Sequence, residues 1–406
     1  MAVRARDVAS CLARDGKGTP VAVAERFCDW LKCPWRSRTR PNDVLPPNVF
    51  ARHAETRHPS GAALKRSAVV GFWLLSAASA SLGHAACGAP APDGLAGFAA
   101  AEKWIEQNRN YLHSVVISRC GRILTERYLG LYDADTRHDL QSATKTVTST
   151  LIGIAMRDGL IASIDQPLAN LLPQYKPLLT GRKARITLRH VLTMSTGLRW
   201  VDFGPRNSFE RIAEADDSID FILSEPLLTD PGKTWAYNTG SSHLLSAIIQ
   251  SVSGQTAREY AERVLFGPLE IRDYKWSVHP DGTTQGGWKL ELRPKDMIKL
   301  GRLYVDAGRW EDVEIMPKHF VDQAMEEAFT ASPDSGYGYQ MWVHHDLGVG
   351  RVSAARGWGG QSIFVFPEQN AVVVFTGDIH HAEAMNADIS MLLRSFIVPG
   401  LLGAAK

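Results

Sequence analysis

A serine followed three positions later by a lysine occurs once in the 406-residue chain, as Ser142-Ala143-Thr144-Lys145. Positions i and i+3 share one face of a helix, so an amine at 145 can reach a hydroxyl at 142. Such a pair can open a carbonyl compound, the hydroxyl attacking and the amine taking its proton. The obstacle is that an ordinary lysine, with a pKa of about 10.4, is protonated at neutral pH. Desolvation by apolar neighbours lowers that value, and so does the partial positive charge of a helix N-terminus. A lowering of about 3 units costs roughly 4 kcal/mol of stability, which a folded domain can absorb. Alone, the same four residues also describe a capping serine and a solvated lysine, so the elements around them decide.

Those elements are legible in outline. Residues 114–118 and 123–128 read as a β-hairpin turning at Gly121. From Ser142, Thr148, Leu151, Ile152 and Ala155 repeat at helical spacing until Gly159 supplies a stop. Residues 165–291 alternate short helical patterns with loops and predict a helical subdomain. A helix is predicted over 294–307, strands over 338–344, 361–366 and 371–376, with Glu368-Gln369-Asn370 as a tight turn, and a last helix over 383–398. This order predicts an α+β fold in which early and late strands share one antiparallel sheet.

With 45% apolar and 9% aromatic residues the chain can bury a core. Residues 1–66 carry 13 Lys and Arg against 6 Asp and Glu, while the whole chain has a formal charge of only +2, so the main body is mildly acidic. That balance argues against nucleic acid as a partner. Residues 1–64 lack periodicity and predict a disordered extension or a start placed downstream. Residues 65–86 run basic, apolar, then small, as a signal peptide does, with cleavage expected after Ala85 and a periplasmic or secreted product. An uncleaved membrane anchor, a buried helix and a cytoplasmic location stay open as alternatives. Residues 87–96 read as a linker, and 97–400 as the functional domain. Cys11, Cys28, Cys33, Cys87 and Cys120 show no metal-binding spacing, and free thiols at Cys87 and Cys120 are favoured over a bridge between them.

Three motifs in order turn the serine-lysine pair into a resemblance. Ser142 to Lys145, Tyr237-Asn238-Thr239 and Trp358-Gly359-Gly360 are similar to the Ser-x-x-Lys, Tyr-x-Asn and Lys-Thr-Gly-type triplets of the penicillin-recognising serine hydrolases. The segments ITLRHVLTMSTGL (186–198), PGKTWAYNTGSSHLLSAI (231–248), LRPKDMIKLGRLYVDAGRW (292–310) and GYGYQMW (336–342) look most like the 6-aminohexanoate-dimer hydrolase branch. The resemblance covers about 300 residues.

It implies a β-lactamase/transpeptidase-like fold with an inserted helical subdomain, and a serine hydrolase that works through an acyl-enzyme without cofactor or metal. It gives Ser142 the role of nucleophile, Lys145 that of base and Tyr237 that of proton shuttle, as phenol or phenolate. It places the backbone N–H groups of Ser142 and Gln361 as an oxyanion hole, and Asn238, Trp358, Gly359 and Gly360 at the substrate, the glycines allowing close approach. Two positions depart from the pattern. Thr239 stands where the family often has Asn, so Asn238 is the expected substitute. Trp358 stands where β-lactamases keep a Lys for the substrate carboxylate, which demotes β-lactams and favours a small amide or ester.

The pairs His344-His345 and His380-His381 have carboxylates nearby but fit no metal-ligand spacing. No Gly-x-Ser-x-Gly elbow and no His-Glu-x-x-His occurs. The alternatives are a β-lactamase, a D-alanyl-D-alanine carboxypeptidase-type peptidase, and a sensor that is acylated without turnover.

Overall fold

In the computed structural model residues 92–108 and 111–403 are described. The extension and the signal-like segment lie outside them. A first helix, α1 (Pro92–Gln107), begins inside the stretch expected to be a linker. Proline suits a first helical turn, where its missing N–H has no partner to lose.

The hairpin forms as expected from β1 (Leu112–Arg119) and β2 (Arg122–Tyr128), with Cys120 and Gly121 both at positive φ in the turn. Six later strands complete the sheet: β3 (Phe329–Ser332), β4 (Ser335–Tyr337), β5 (Trp342–His344), β6 (Val352–Arg356), β7 (Ser362–Phe366) and β8 (Ala371–Gly377). Their spatial order is β2-β1-β8-β7-β6-β5-β4-β3, antiparallel throughout, so the first hairpin joins the last strand. Val115 lies opposite Phe375 and Ile117 opposite Val373 in that junction.

Alternation sends the two faces of the sheet into different cores. Val115, Ile117, Phe364 and Phe375 pack with Phe98 and Ile105 of α1 and with Ile389 and Leu392 of the C-terminal helix α5 (Ala382–Leu392). On the other face Val116, Ile363, Val372 and Val374 meet α2 (Thr144–Arg157) and α4 (Pro294–Val305). Gly301 of α4 lies so close that a Cβ there would sit 2.4 Å from Val372. Between them runs the helical segment, including α3 (Thr239–Ser253), which packs on α2. This segment is helical to Phe266; two short strands follow, Lys275–Trp276 and Leu290–Leu292, the second paired with His138–Asp139 just before Ser142.

Residues 338–341 are not extended, because Gln340 has φ 58 and its side chain is spent on Val191 O and Leu192 O, both at 3.0 Å. Cys120 is disulfide-bonded, which corrects the expectation of a free thiol there.

Candidate active site

The candidate nucleophile, Ser142, follows a strained residue. Gln141 has φ 50, a left-handed conformation unusual for a residue with a side chain, and its N–H donates to Asp139 Oδ1 at 2.9 Å. Ser142 follows in a 3₁₀ turn, half-buried, and α2 starts at Thr144. The helix N-terminus therefore lies under the hydroxyl, and Lys145 one turn along points back to it.

Lys145 is 1% exposed, an extreme value for a lysine. Its Nζ donates to Ser142 Oγ at 3.0 Å and to Gly287 O at 2.9 Å. Burial lowers its pKa from 10.5 to about 7, against the opposing pull of Asp202. A neutral amine is thus within reach at neutral pH, as the chemistry requires.

Tyr237 lies across the same hydroxyl. Lys145 Nζ is 5.2 Å from its ring centroid, and the Ser142 hydroxyl stabilises the ionised phenol. Burial and Asp202 nevertheless push the phenol well above its ordinary value, so Tyr237 stays protonated at neutral pH. Trp342 stacks on the ring at 6.1 Å, while Tyr337 and Trp235 meet it edge-on at 6.4 Å each, fixing its plane.

Asn238 is engaged within the fold. Its Oδ1 caps α3 by accepting from Ser241 N at 2.9 Å, its Nδ2 points to Leu198 O at 3.4 Å, and the residue is 3% exposed. An asparagine immediately before the first helical residue has this local use ready to hand. Thr239 stands nearer the chemistry: a Cβ on Gly287 would meet Thr239 Cγ2 at 2.5 Å and Lys145 Nζ at 3.4 Å.

The glycines after β6 pack tightly against the protein itself. A Cβ at Gly357 would fall 2.1 Å from Leu140 O, one at Gly359 2.5 Å from Ile379 Cα and one at Gly360 2.6 Å from Met385 Cε. On the side where a Cβ would stand, close approach is thus to the turn bearing Ser142, to residue 379 and to α5. Gly359 and Gly360 have φ 72 and 80, so 358–360 is a turn rather than extended strand. Gln361 resumes the strand, its side chain donating to Gly359 O and Gly377 O and its carbonyl accepting from Gly357 N at 2.7 Å. Trp358 donates its indole N–H to Ile379 O at 2.7 Å and stacks on Phe203 with centroids 6.1 Å apart, forming an aromatic wall.

Several participants carry no motif. Asp202 faces Lys145 and Tyr237 from the loop after Leu198. Gly286 and Gly287 supply carbonyls to Thr148 Oγ1, at 2.7 Å, and to Lys145. Behind them Gly286 N donates to His243 Nδ1 at 3.3 Å, and His243 Nε2 meets Ser218 Oγ at 2.9 Å. Ser218 Oγ donates to Asp281 Oδ2 at 2.5 Å. Arg356, at the end of β6, is desolvated, its pKa lowered to about 10, and its charge reaches Tyr237. A cavity of about 340 Å³ beside it is lined by Trp342, His344, Asp346 and Asn386 among others.

The histidine pairs have other duties. His345 Nε2 meets Glu327 Oε2 at 2.7 Å; His381 Nδ1 meets Asp378 Oδ2 at 2.9 Å and stacks on Tyr111.

Residues 109–392 match the protein family described as Beta-lactamase, and the chain belongs to that family. It is a serine hydrolase of that fold. The 6-aminohexanoate-dimer hydrolase of Paenarthrobacter ureafaciens is 22% identical over 284 residues, covering 64% of this chain and 70% of that protein. The monacolin J acid methylbutanoyltransferase of Aspergillus terreus is 29% identical over 167 residues, 36% of this chain and only 40% of that protein. Among solved structures, EstCE1, a hydrolase with promiscuous acyltransferase activity, superposes with a TM-score of 0.62 at 16% identity, covering 75% of this chain and 98% of that one.

Proposed function

We propose that this chain cleaves small amides or esters through an acyl-enzyme on Ser142. The observation that carries the reading is the 3.0 Å contact between Ser142 Oγ and a fully desolvated Lys145 amine. In its neutral form Lys145 takes the Ser142 proton as Oγ attacks the substrate carbonyl. The resulting oxyanion is assigned to the backbone N–H groups of Ser142 and Gln361. The approach of Gly357 to Leu140 O, which brings the 357–361 segment against the nucleophile turn, supports that assignment. Tyr237, a phenol, gives its proton to the departing nitrogen or oxygen and regains one from the Lys145 ammonium. Water then attacks the ester on Ser142 by the reverse route, releasing the acid and restoring the hydroxyl.

The substrate class is read from the walls. Trp358, Phe203 and Trp342 are neutral and aromatic, which suits an apolar acyl or leaving group better than a carboxylate-bearing β-lactam. The names of two relatives, a dimer-amide hydrolase and an acyltransferase, fit an acyl-enzyme whose acceptor varies. Export to the periplasm or beyond is part of the proposal; a disulfide at Cys120 suits an oxidising compartment.

Purified protein is expected to release p-nitrophenol from p-nitrophenyl butyrate and to be labelled on Ser142 by a fluorophosphonate. Ser142→Ala is expected to lower kcat by about 10³-fold or more, with labelling gone. Unchanged turnover in that variant refutes the assignment.

A further inference from the structure

We propose that the backbone carbonyl of Gly287 is a catalytic group of this reaction: it holds one N–H of the Lys145 amine, which turns the amine toward the Ser142 proton, and it steadies the ammonium once that proton has arrived. His243 is then a positioning residue, holding the carbonyl in place through Gly286. The proposal rests on the acyl-enzyme reading above and deepens it.

A neutral amine has two N–H bonds and one lone pair, and rotation about Cε–Nζ decides where the lone pair points. Here Nζ has two contacts, Ser142 Oγ at 3.0 Å and Gly287 O at 2.9 Å. A carbonyl oxygen only accepts, so the contact to Gly287 uses an N–H. With that N–H fixed, the lone pair can face the Ser142 hydroxyl. As Oγ attacks, its O–H bond breaks, a third N–H bond forms on Nζ, and the amine becomes a cation at a site 1% exposed. The carbonyl then accepts from an ammonium without moving, a dipole already aimed at the charge that develops.

Such a dipole has to be rigid, and the segment around it is anchored link by link. Thr148, one turn beyond Lys145 on the same face of α2, donates to Gly286 O at 2.7 Å, so α2 grips two successive carbonyls. Gly286 N–H donates to His243 Nδ1 at 3.3 Å, His243 Nε2 meets Ser218 Oγ at 2.9 Å, and Ser218 donates to Asp281 Oδ2 at 2.5 Å. Before the glycines, Gln285 N–H donates to Ser277 O at 3.0 Å and Gln285 O accepts from the Trp276 indole at 2.8 Å. After them, Trp288 packs edge-on to Phe209 with centroids 4.7 Å apart. No side chain fits between: a Cβ on Gly286 would lie 2.4 Å from Ser242 O, and one on Gly287 2.5 Å from Thr239 Cγ2 and 3.4 Å from Lys145 Nζ.

The test is Gly287→Ala in the intact chain, with kcat, KM and the pH profile of kcat/KM measured on p-nitrophenyl butyrate. The added methyl strikes Thr239 and displaces the carbonyl from the amine. An ammonium that has lost an acceptor releases its proton more easily, so the acid limb is expected to move down by about one pH unit. The maximal kcat is expected to fall about tenfold, with KM changed by less than about threefold. A merely structural glycine would lower Tm and kcat and leave the limb where it is. Tyr237, its ring centroid 5.2 Å from Nζ, and Asp202 are the other titratable groups bearing on the amine, and the variant alters neither. Adding Thr239→Ser removes the methyl that the new Cβ would strike and should bring limb and kcat back toward the parent. His243 gives a second arm that serves alone if Gly287→Ala does not fold. Asparagine keeps an oxygen near the place of Nδ1 for the Gly286 N–H, and leucine does not, so His243→Leu should shift the limb down and His243→Asn should hold it. A limb that stays in place or moves up in Gly287→Ala and His243→Leu overturns the proposal. Fluorophosphonate labelling of Ser142 with an unmoved limb sinks this inference and leaves the acyl-enzyme standing; no labelling of the parent sinks both.

Discussion

His243 and Ser218 are joined by a 2.9 Å hydrogen bond whose direction is fixed by their other partners. Gly286 N–H needs an acceptor and finds Nδ1, so the proton of the imidazole is on Nε2 and is donated to Ser218 Oγ. The serine hydroxyl in turn donates to Asp281. This buried set has the residue types of a hydrolytic triad, yet its histidine and serine are 0% exposed and no substrate can reach them. It seats Gly286 and Gly287, whose carbonyls receive the Thr148 hydroxyl and the Lys145 amine.

The neutral state of His243 makes stability pH-dependent. Burial lowers its pKa from 6.5 to about 4, so between those values the unfolded chain binds a proton that the folded chain refuses. Stability is fully present above about 6.5 and is lost as pH falls toward 4, by roughly 3 kcal/mol from this one group. Urea midpoints at pH 7.5, 6, 5 and 4 should show that decline. His243→Phe should flatten part of the slope, lower the midpoint at pH 7.5 and reduce kcat by displacing Gly287. An equal slope in both proteins excludes His243 as its source.

Activity should fall in the same direction, toward acid, for a reason of its own at Lys145. Catalysis needs the amine neutral, so kcat/KM is expected to rise with pH and reach half its plateau near 7. Tyr237 keeps its proton well above its ordinary range, so no alkaline decline from that phenol is expected below pH about 10. Stopped-flow or steady-state profiles from pH 5 to 10 test both limbs. A plateau already complete at pH 5 would show that Lys145 is not the titrating base.

Asn238→Ala separates a cap from a ligand contact. Loss of the Ser241 N–H cap should lower stability by about 1 kcal/mol, seen as a reduced Tm, with KM within about twofold of the parent. Asn238→Asp should recover most of the Tm. A large rise in KM at unchanged Tm would return Asn238 to the substrate.

The reactive set was legible because its residue types are rare in that spacing: Ser142 and Lys145 lie where the motif put them, and Tyr237 joins them in space. The first hairpin and α2 were legible by periodicity. Strands β3, β4 and β6 were not, being three to five residues long and rich in Ser, Gly and Ala, with no alternation to read. Asn238 carries two readings in the sequence because a helix cap and a substrate amide contact call for the same side chain; the fold supplies the cap. Asp202 was invisible for a different reason: its place is set by the Trp200 indole that holds it and by the fold of its loop, which no chemical motif encodes.

The seating of Gly357 against Leu140 O leaves no slack between the strand that ends at Arg356 and the turn that bears the hydroxyl. Any adjustment of that strand is transmitted directly to the reacting oxygen, so the sheet side of the cleft is a poor place to alter what the protein accepts. The loop from Leu198 to Ser208 is tied to the rest by aromatic rings and a few polar contacts instead, such as Arg199 to Glu225. Selectivity can be rebuilt at Phe203 and the exposed residues beside it, with Trp200 and Asp202 left as they stand.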